Sequence, residues 1–219
     1  MANKEESVVV IGLGRFGSSL ALELLRRDTQ VLAIDSSPKL VQAYSSQIPH
    51  AVVADATDPE ALTQLDVGMF RRAVVAIGTD QEASILATAN LADLDVSDIW
   101  AKATNRQHGR ILQRVGAHHV VLPEHDMGER VAHLVSGEML DYLELGDGFV
   151  IAKTRPPRDY VGAALGETGL RAQYGVTIVA VKPQNGTFTY ADRETILQYG
   201  DILVVSGPED KVERFSRLA

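Results

Sequence analysis

The spacing of three glycines near the start of the chain constrains its fold more than any other feature of the sequence. Gly12, Gly14 and Gly17 follow the apolar run Val8–Ile11 and open a helical pattern over Phe16–Arg27. Glycines at this spacing allow a tight turn, a close approach of backbone N–H groups to phosphate oxygens, and close packing of the helix on a sheet. The helix N-terminus adds a favourable dipole for an anion. The pattern therefore predicts a Rossmann-type strand–turn–helix unit that binds a nucleotide.

Asp35 stands at the end of the next apolar run, Val31–Ile34. A nucleotide-binding unit of this kind carries an acceptor for the ribose hydroxyls at about this distance from the glycines. A carboxylate there repels a 2′-phosphate, so the sequence disfavours NADP. The alternative is that Asp35 is simply an exposed acid at a strand end. The sequence favours the ribose acceptor, because the glycine pattern precedes Asp35 at the expected distance.

The first two-thirds of the chain alternate short apolar runs with longer helical patterns, which predicts a doubly wound parallel sheet. The predicted strands are Val8–Ile11, Val31–Ile34, Ala51–Ala54, Ala73–Ile77, Ile99–Ala101 and His119–Leu122. The predicted helices are Phe16–Arg27, Pro38–Ser45, Pro59–Leu65, Gln81–Leu94, Asn105–Val115 and Glu124–Ser136. Thr57-Asp58-Pro59-Glu60 also fits a capping box, with proline at the first helical position.

The pattern changes near Met139–Gly148, and a smaller α+β lobe follows. Its predicted elements are strands at Phe149–Thr154, Val176–Lys182, Thr187–Tyr190 and Ile202–Ser206, a short helical or turn segment at Gly162–Leu170, and a closing helix at Glu209–Leu218. Gln184-Asn185-Gly186 predicts a hairpin between two of these strands. We therefore expect an α/β fold in two domains, a Rossmann domain over residues 1–137 and a smaller α+β domain over residues 138–219.

Composition excludes several classes of function. The net charge of −8 argues against a non-specific nucleic-acid binder, and the lack of cysteine excludes disulfides and thiolate chemistry. No run approaches the roughly 18 apolar residues of a membrane span. Met1–Ser7 is short, polar and acidic, unlike a secretory leader. The sequence therefore predicts a cytoplasmic protein.

Three further groups of residues are candidates for the nucleotide site. Arg15 places a cation in the first turn of the helix, where it opposes the dipole, so an anion such as a terminal phosphate should compensate it. Asp55-Ala56-Thr57 follows the third strand, where such a site meets the adenine, although capping of the next helix by Thr57 or Asp58 is an equally good interpretation. Gly78 follows the fourth strand, where the chain must pass near the nucleotide.

A group of histidines gives a weaker indication of a metal site. His118, His119 and His125 lie close in sequence to Glu124 and Asp126, as in some metal sites. Adjacent histidines on a strand point to opposite faces, which disfavours a shared ion. There is no histidine after Glu144, so the second lobe lacks the acid–base groups that a hydride-transfer enzyme carries there, and it is typical of a binding module.

Several motifs in order resemble one known family. They are Val9 and Ile11 with the glycine run 12–17, Ala76-Ile77-Gly78 with Ala83-Ser84, Ala101-Lys102-Ala103, Val115-Gly116-Ala117, the run 123–128 beginning Pro123-Glu124, Leu170–Val176 and Asp201–Gly207. Together they resemble the RCK (regulator of potassium conductance) subunits of bacterial Ktr/Trk potassium uptake systems. The resemblance spans nearly the whole chain.

The resemblance implies a regulatory, non-catalytic protein. Its N-terminal lobe would bind ATP or ADP, with NAD or NADH as further candidates. Chains would pair through a crossing helix, and dimers would form an octameric ring at the inner face of the membrane, beneath a potassium channel or transporter. ATP and ADP would hold the ring in different shapes. An NAD-dependent oxidoreductase and a redox-sensing repressor are the alternatives, disfavoured by the missing catalytic set and the missing basic helix-turn-helix.

The resemblance also assigns residues to the site. The nucleotide would contact Gly12, Leu13, Gly14, Arg15, Phe16, Gly17, Asp35, Ser36, Asp55, Ala56, Thr57, Ile77, Gly78, Lys102, Ala103 and Glu124. Arg15 would reach a γ-phosphate, and Glu124 would help to hold a metal ion there, either Mg²⁺, Ca²⁺ or Na⁺. Cyclic di-AMP would bind the second lobe at Leu165, Arg171, Ala172, Val176 and Thr177.

Overall fold

A computed structural model describes residues 7–137 and 139–219 of the chain. All of the polar start Met1–Ser7 except its last residue lies outside the described residues. The chain divides into two compact units, one up to His125 and one from Asp126 onward. The expected domain boundary after residue 137 stays a prediction.

The first unit is built on a six-stranded parallel sheet in the order β3-β2-β1-β4-β5-β6. Its strands are β1 (Val8–Ile11), β2 (Val31–Asp35), β3 (Ala51–Val53), β4 (Arg72–Val75), β5 (Asp98–Lys102) and β6 (His119–Val121). Its helices are α1 (Arg15–Arg26), α2 (Pro38–Tyr44), α3 (Pro59–Gln64), α4 (Gln81–Asp93) and α5 (Arg106–Arg114), with a 3-10 turn at Val67–Met69. Helix α6 (Pro123–Val135) spans the point of division. Every predicted strand and helix of this region is present.

Alternation along β1 shows that both faces of the sheet are covered. Val9 and Ile11 belong to one buried cluster, together with residues of α3, α4 and α5. Val8 and Val10 belong to a second cluster, with Ala21 of α1 among its members. Successive strand side chains point to opposite faces, so the continuous apolar run is explained by helices on both sides. The expected doubly wound Rossmann fold is confirmed.

The strand order places a topological switch point between β1 and β4. The chain runs outward from β1 to β2 and β3, then returns to pair β4 with the other edge of β1. Ligands of open α/β sheets bind at such a point, outside the carboxyl ends of the strands. The loop at Gly12 follows β1 there, and Gly78 follows β4.

The second unit contains a five-stranded antiparallel sheet in the order β10-β9-β11-β8-β7. Its strands are β7 (Asp141–Gly146), β8 (Phe149–Thr154), β9 (Thr177–Lys182), β10 (Thr189–Tyr190) and β11 (Ile202–Pro208). Its helices are α7 (Leu165–Thr168), α8 (Leu170–Tyr174) and α9 (Glu209–Ser216), with a 3-10 turn at Arg158–Tyr160. The predicted hairpin and α+β character are confirmed. Strand β7 was not predicted. Its Leu143 and Leu145 are exposed, so its sequence lacks the alternation of buried apolar and exposed polar residues that is typical of a strand.

None of the helices that the structure describes is both long and apolar enough to cross a membrane.

Candidate nucleotide-binding site

The turn after β1 can be made only with glycine at two of its three glycine positions. Gly12 has φ +98°, a backbone conformation that L side chains rarely adopt, and a Cβ on Gly17 would lie 1.8 Å from the Gly12 carbonyl oxygen. A Cβ on Gly14 would meet nothing within 4 Å. Gly12 and Gly17 thus shape the turn, while Gly14 leaves open space beside the helix start.

The N-terminus of α1 is open to an anion. No side chain caps it, and its first turn carries no acid. In contrast, the next four helices are capped by side chains, α2 by Ser37, α3 by Asp58, α4 by Asp80 and α5 by Asn105. The first N–H groups of a helix lack partners within the helix, so those of α1 remain directed at the space beside Gly14.

Asp35 holds the glycine turn in place. Its Oδ2 accepts a hydrogen bond from the Leu13 N–H at 2.6 Å, and its Oδ1 accepts one from the Ser37 N–H at 2.8 Å. The Leu13 side chain is fully buried, whereas Ser36 is exposed at the end of β2. A carboxylate has about four acceptor positions, so two backbone bonds leave capacity for ribose hydroxyls.

The segment Asp55-Ala56-Thr57 forms a structured turn after β3. Asp55 Oδ1 accepts hydrogen bonds from the Thr57 N–H at 2.9 Å and the Thr57 hydroxyl at 2.8 Å, and these bonds lower the pKa of Asp55. Asp58 caps α3, so the predicted capping box headed by Thr57 is wrong. Asn90 of α4, which the sequence analysis missed, donates to the carbonyls of buried Ala56 and of Thr57 at 3.0 Å each.

Lys102 and Glu124 form an ion pair at the same edge of the sheet. The Lys102 side chain is 11% exposed, and its Nζ lies 2.6 Å from Glu124 Oε1. The same ammonium lies 5.8 Å from the centroid of the Phe16 ring, and a Cβ on Gly78 would come within 3.0 Å of it. The ammonium therefore approaches the glycine turn, and Gly78 leaves the space that it occupies.

Arg15 adds a second cation to this edge. It is exposed at the first position of α1. The hydrogen bond from Lys102 lowers the pKa of Glu124, and the charge of Arg15 lowers it slightly further. No hydrogen bond or ion pair joins the guanidinium to any residue within 7–137 or 139–219. The guanidinium is therefore available to a ligand.

Ala103 and Ile77 pack against the hydrophobic core of the first unit. Ala103 is 1% exposed and packs in the hydrophobic cluster, so only its backbone could face a ligand, and its N–H already donates to the Val121 carbonyl at 2.9 Å. Ile77 is partly buried against the same cluster. Both residues remain predicted site residues, and we expect them to contribute to the shape of the site rather than to form hydrogen bonds with a ligand.

The histidines singled out in the sequence serve other contacts. His118 Nδ1 accepts from the Ile99 N–H at 3.0 Å. The His119 ring stacks on Trp100 at 4.1 Å, and His125 lies 3.3 Å from Arg106. None of the three joins a group of three metal-ligating side chains among the described residues.

The residues assigned to a second ligand surround a cavity in the second unit. Leu165, Arg171, Val176 and Thr177 line a cavity of about 230 Å³, whereas Ala172 is exposed on α8 and does not line it. Ala191 also lines it.

A parallel sheet with a glycine turn at its switch point defines a Rossmann-type nucleotide-binding domain, here joined to an antiparallel lobe. The TrkA-N domain family matches residues 8–123, and the TrkA-C domain family matches residues 149–219. The chain therefore belongs to the family that combines TrkA-N and TrkA-C domains. The resemblance to RCK subunits of Ktr systems is confirmed.

Named relatives agree with this assignment. The chain is 38% identical to the Ktr system potassium uptake protein A of Bacillus subtilis over 97% of this chain and 96% of that protein. The solved GsuK RCK domain has a TM-score of 0.67 at 20% identity, over 98% of this chain and 47% of that one. The GsuK channel bound to NAD has a TM-score of 0.53 at 24% identity, over all of this chain and 39% of that one. The chain thus spans less than half the length of either solved chain, and the two structures support the fold.

Proposed function

We propose that this chain is a cytoplasmic regulatory subunit that binds ATP and ADP and controls potassium transport by a membrane channel or transporter. The observation that carries the proposal is the uncapped N-terminus of α1, set behind a glycine turn that Asp35 holds. A relative named a potassium uptake protein, similar over nearly its full length, supports the link to potassium transport.

The charges around the turn favour discrimination between ATP and ADP. The two nucleotides share the adenine, the ribose and two phosphates, so the glycine turn and Asp35 would bind them nearly equally. A ligand shifts a conformational equilibrium only by its differential affinity for the two states. Arg15 is the exposed cation at the start of α1, so we assign the contact with the third phosphate to its guanidinium.

Glu124 fits a role in holding a cation beside that phosphate. Its side chain is 66% exposed, and one of its oxygens is bonded to Lys102. A hard cation such as Mg²⁺ takes one or two carboxylates together with phosphate oxygens and water, and Ca²⁺ or Na⁺ would use the same oxygen donors. Glu124 would therefore supply one ligand, and the nucleotide would supply others.

NAD or NADH would use the same turn. A solved neighbour is a channel bound to NAD, and Asp35 disfavours the 2′-phosphate of NADP. We propose binding without hydride transfer, because three relatives that are similar over nearly their full length are named potassium uptake proteins.

Assembly of the subunit would use the exposed side of α6. Met127, Val131 and Val135 are 53%, 44% and 80% exposed and recur every four residues, so they form one apolar stripe. A symmetric pairing of two such stripes would remove them from water. We propose a dimer of this kind as the unit of an octameric ring beneath the membrane partner.

The cavity beside Arg171 would bind cyclic di-AMP across such a dimer. Its volume of about 230 Å³ in one chain is below that of most small-molecule sites, roughly 300–1,000 Å³. A two-fold-symmetric dinucleotide would therefore place one half in each of two paired chains.

The decisive test replaces Arg15 in the subunit reconstituted with its potassium transporter in vesicles. Arg15→Ala should cost ATP about 1.5–3 kcal/mol of binding free energy, the scale of a charged hydrogen bond, and should leave ADP binding intact. ATP should then no longer activate potassium flux. Arg26→Ala is the matched control, because it removes the same charge at the far end of α1, where Arg26 pairs with Glu23 at 2.8 Å.

Two outcomes would overturn the assignment of Arg15: full ATP activation in the mutant, or equal loss of ATP and ADP affinity. Absence of binding by the unmodified chain to ATP, ADP and NAD alike would overturn the proposed function itself.

A further inference from the structure

A histidine and two glutamates from distant parts of the sequence meet in the second unit, apart from the nucleotide site. His133 lies near the end of α6, while Glu209 and Glu213 lie on α9. Because residues four apart share one face of a helix, both carboxylates point to the same side. One ligand atom from each of the three residues lies within 4.8 Å of those of the other two.

The geometry of this cluster is close to that of a coordination shell. The His133 Nε2 lies 3.8 Å from Glu209 Oε1, and the Nδ1 lies 3.7 Å from Glu213 Oε1. Bonds of 2.0–2.2 Å to a tetrahedral ion set neighbouring ligand atoms about 3.4 Å apart. Because one ion binds only one of the two ring nitrogens, the glutamate beside the other nitrogen would have to rotate toward the ion to complete the shell.

Tyr142 contacts two members of the cluster and can fix their orientation. Its hydroxyl donates to Glu209 Oε1 at 2.8 Å, and its ring stacks on the His133 ring with centroids 4.0 Å apart. Tyr142 is 6% exposed, so its own position is fixed by the core. Groups that orient ligands in this way are a regular part of metal sites.

The surrounding charge favours a cation. Glu209 and Glu213 each place a carboxylate oxygen beside the His133 ring, at 3.8 Å and 3.7 Å from its nitrogens. Arg217, which is 61% exposed, lies 3.8 Å from Glu213 Oε2. An exposed arginine at that distance neutralises little of the field.

We propose that His133, Glu209 and Glu213 form a binding site for a first-row transition-metal dication, with zinc as the ion that the donor set fits best. One imidazole nitrogen and two carboxylates suit zinc, whereas Mg²⁺ and Ca²⁺ take oxygen ligands only. Three protein ligands leave a position for water. The bound ion would join α6 to α9 within the second unit and stabilise it.

The test uses the full chain after dialysis against a chelator, with the metal ion alone as the probe. Calorimetry should show one zinc ion bound per chain, no heat with Mg²⁺, and a rise in melting temperature with zinc. Cobalt(II) in place of zinc should give the intense visible bands of a low-coordinate nitrogen–oxygen site. Glu213→Gln and His133→Gln should each weaken zinc at least about tenfold.

Asp210→Asn is the matched control, since Asp210 is exposed on the same helix and the substitution removes the same charge. It should change zinc affinity less than about twofold. Tyr142→Phe keeps the ring and removes the donor, so it should weaken zinc while leaving the cobalt bands in place. Equal zinc binding in all variants, or no binding by the unmodified chain, would overturn the proposal. ATP affinity, measured in the same variants, should not change, which separates this inference from the proposed function.

Discussion

The candidate sites of the two units differ in their chemistry. In the first, the candidate site is built around backbone groups, namely a turn of six residues and the uncapped start of α1. The Asp35 carboxylate accepts a hydrogen bond from this turn. In the second, the cluster is made of side chains, and Tyr142 and Glu209, which bond each other, are 67 residues apart. The first site is suited to an anion and the second to a cation.

This difference determines how each site fails. The glycine turn presents backbone N–H groups, so a substitution at Gly17 harms the first site through shape, while Arg15 and Asp35 add side-chain contacts to it. A site made of carboxylates keeps its shape when one is replaced by an amide, so a substitution harms it through charge. Substitutions in the two units should therefore differ in the size and kind of their effects.

Gly17→Ala should give the largest effect. The added Cβ would lie 1.8 Å from the Gly12 carbonyl oxygen and 2.9 Å from the Ala76 Cβ, and backbone cannot yield as a flexible side chain does. We expect a loss of about 3 kcal/mol in the free energy of unfolding, together with loss of ATP and ADP binding. Chemical denaturation and calorimetry measure the two quantities.

Gly14→Ala is the control for this change, because the same added carbon meets nothing within 4 Å and the backbone there, with φ −66°, suits alanine. Its free energy of unfolding should change by less than about 0.5 kcal/mol. Equal destabilisation by both substitutions would show that the turn does not depend on the contact between Gly17 and Gly12.

Asp35→Ala should give the next largest effect, on binding. The change removes the acceptor for ribose together with the bond that holds the Leu13 N–H at 2.6 Å. Both losses are common to all adenine nucleotides, so ATP and ADP should each weaken by about 1–3 kcal/mol in calorimetry. Ser37→Ala, which removes a neighbouring hydroxyl but keeps the Ser37 N–H, should leave both affinities near their original values. Unchanged affinities in Asp35→Ala would rule out a ribose or turn-holding role.

Sequence patterns predicted the first unit well because its determinants are local. The glycines, the apolar strands and the proline-led helix starts each act over a few residues, and the structure has all of the predicted strands and helices there. The role of Asp35 in holding Leu13 was not predicted, because 22 residues separate the two and no local pattern records which backbone group a carboxylate meets. Asn90 was missed for the same reason, since it bonds carbonyls 33 and 34 residues earlier in the chain.

The second unit was harder to predict because its contacts are long-range. Strand β7 was missed, since Tyr142 is its one buried residue. His133, Glu209 and Glu213 offered only one pattern, two glutamates four apart on the closing helix. The pairing of that helix face with the end of α6 depends on the antiparallel sheet between them in sequence, which no short motif encodes.

We expect the smallest effect on stability from the partly exposed ion pairs of Asp141 in the second unit. Asp141 Oδ1 accepts from Arg130 at 2.6 Å, and Oδ2 lies 3.0 Å from the Lys153 ammonium. The hydrogen bond from Lys153, and then that from Arg130, hold the pKa of Asp141 below its ordinary value. A depressed pKa in the folded state means that the stabilisation is present above the unfolded pKa of about 4 and is lost as pH falls through the folded pKa.

Asp141→Asn should therefore cost up to about 1 kcal/mol of unfolding free energy at pH 7, because both cationic partners are more than one-third exposed and water screens the pairs. The difference from the unmodified chain should shrink below about pH 4 and should also shrink in high salt. Amide hydrogen exchange along β7 and β8 localises the effect to this part of the chain. Glu144→Gln, on the same strand and exposed, makes the same change in charge and should change the unfolding free energy at pH 7 less than Asp141→Asn does. If the cost of Asp141→Asn were the same at pH 3 as at pH 7, the carboxylate would be acting through shape, as the first unit's turn does, and the contrast between the two units would fail.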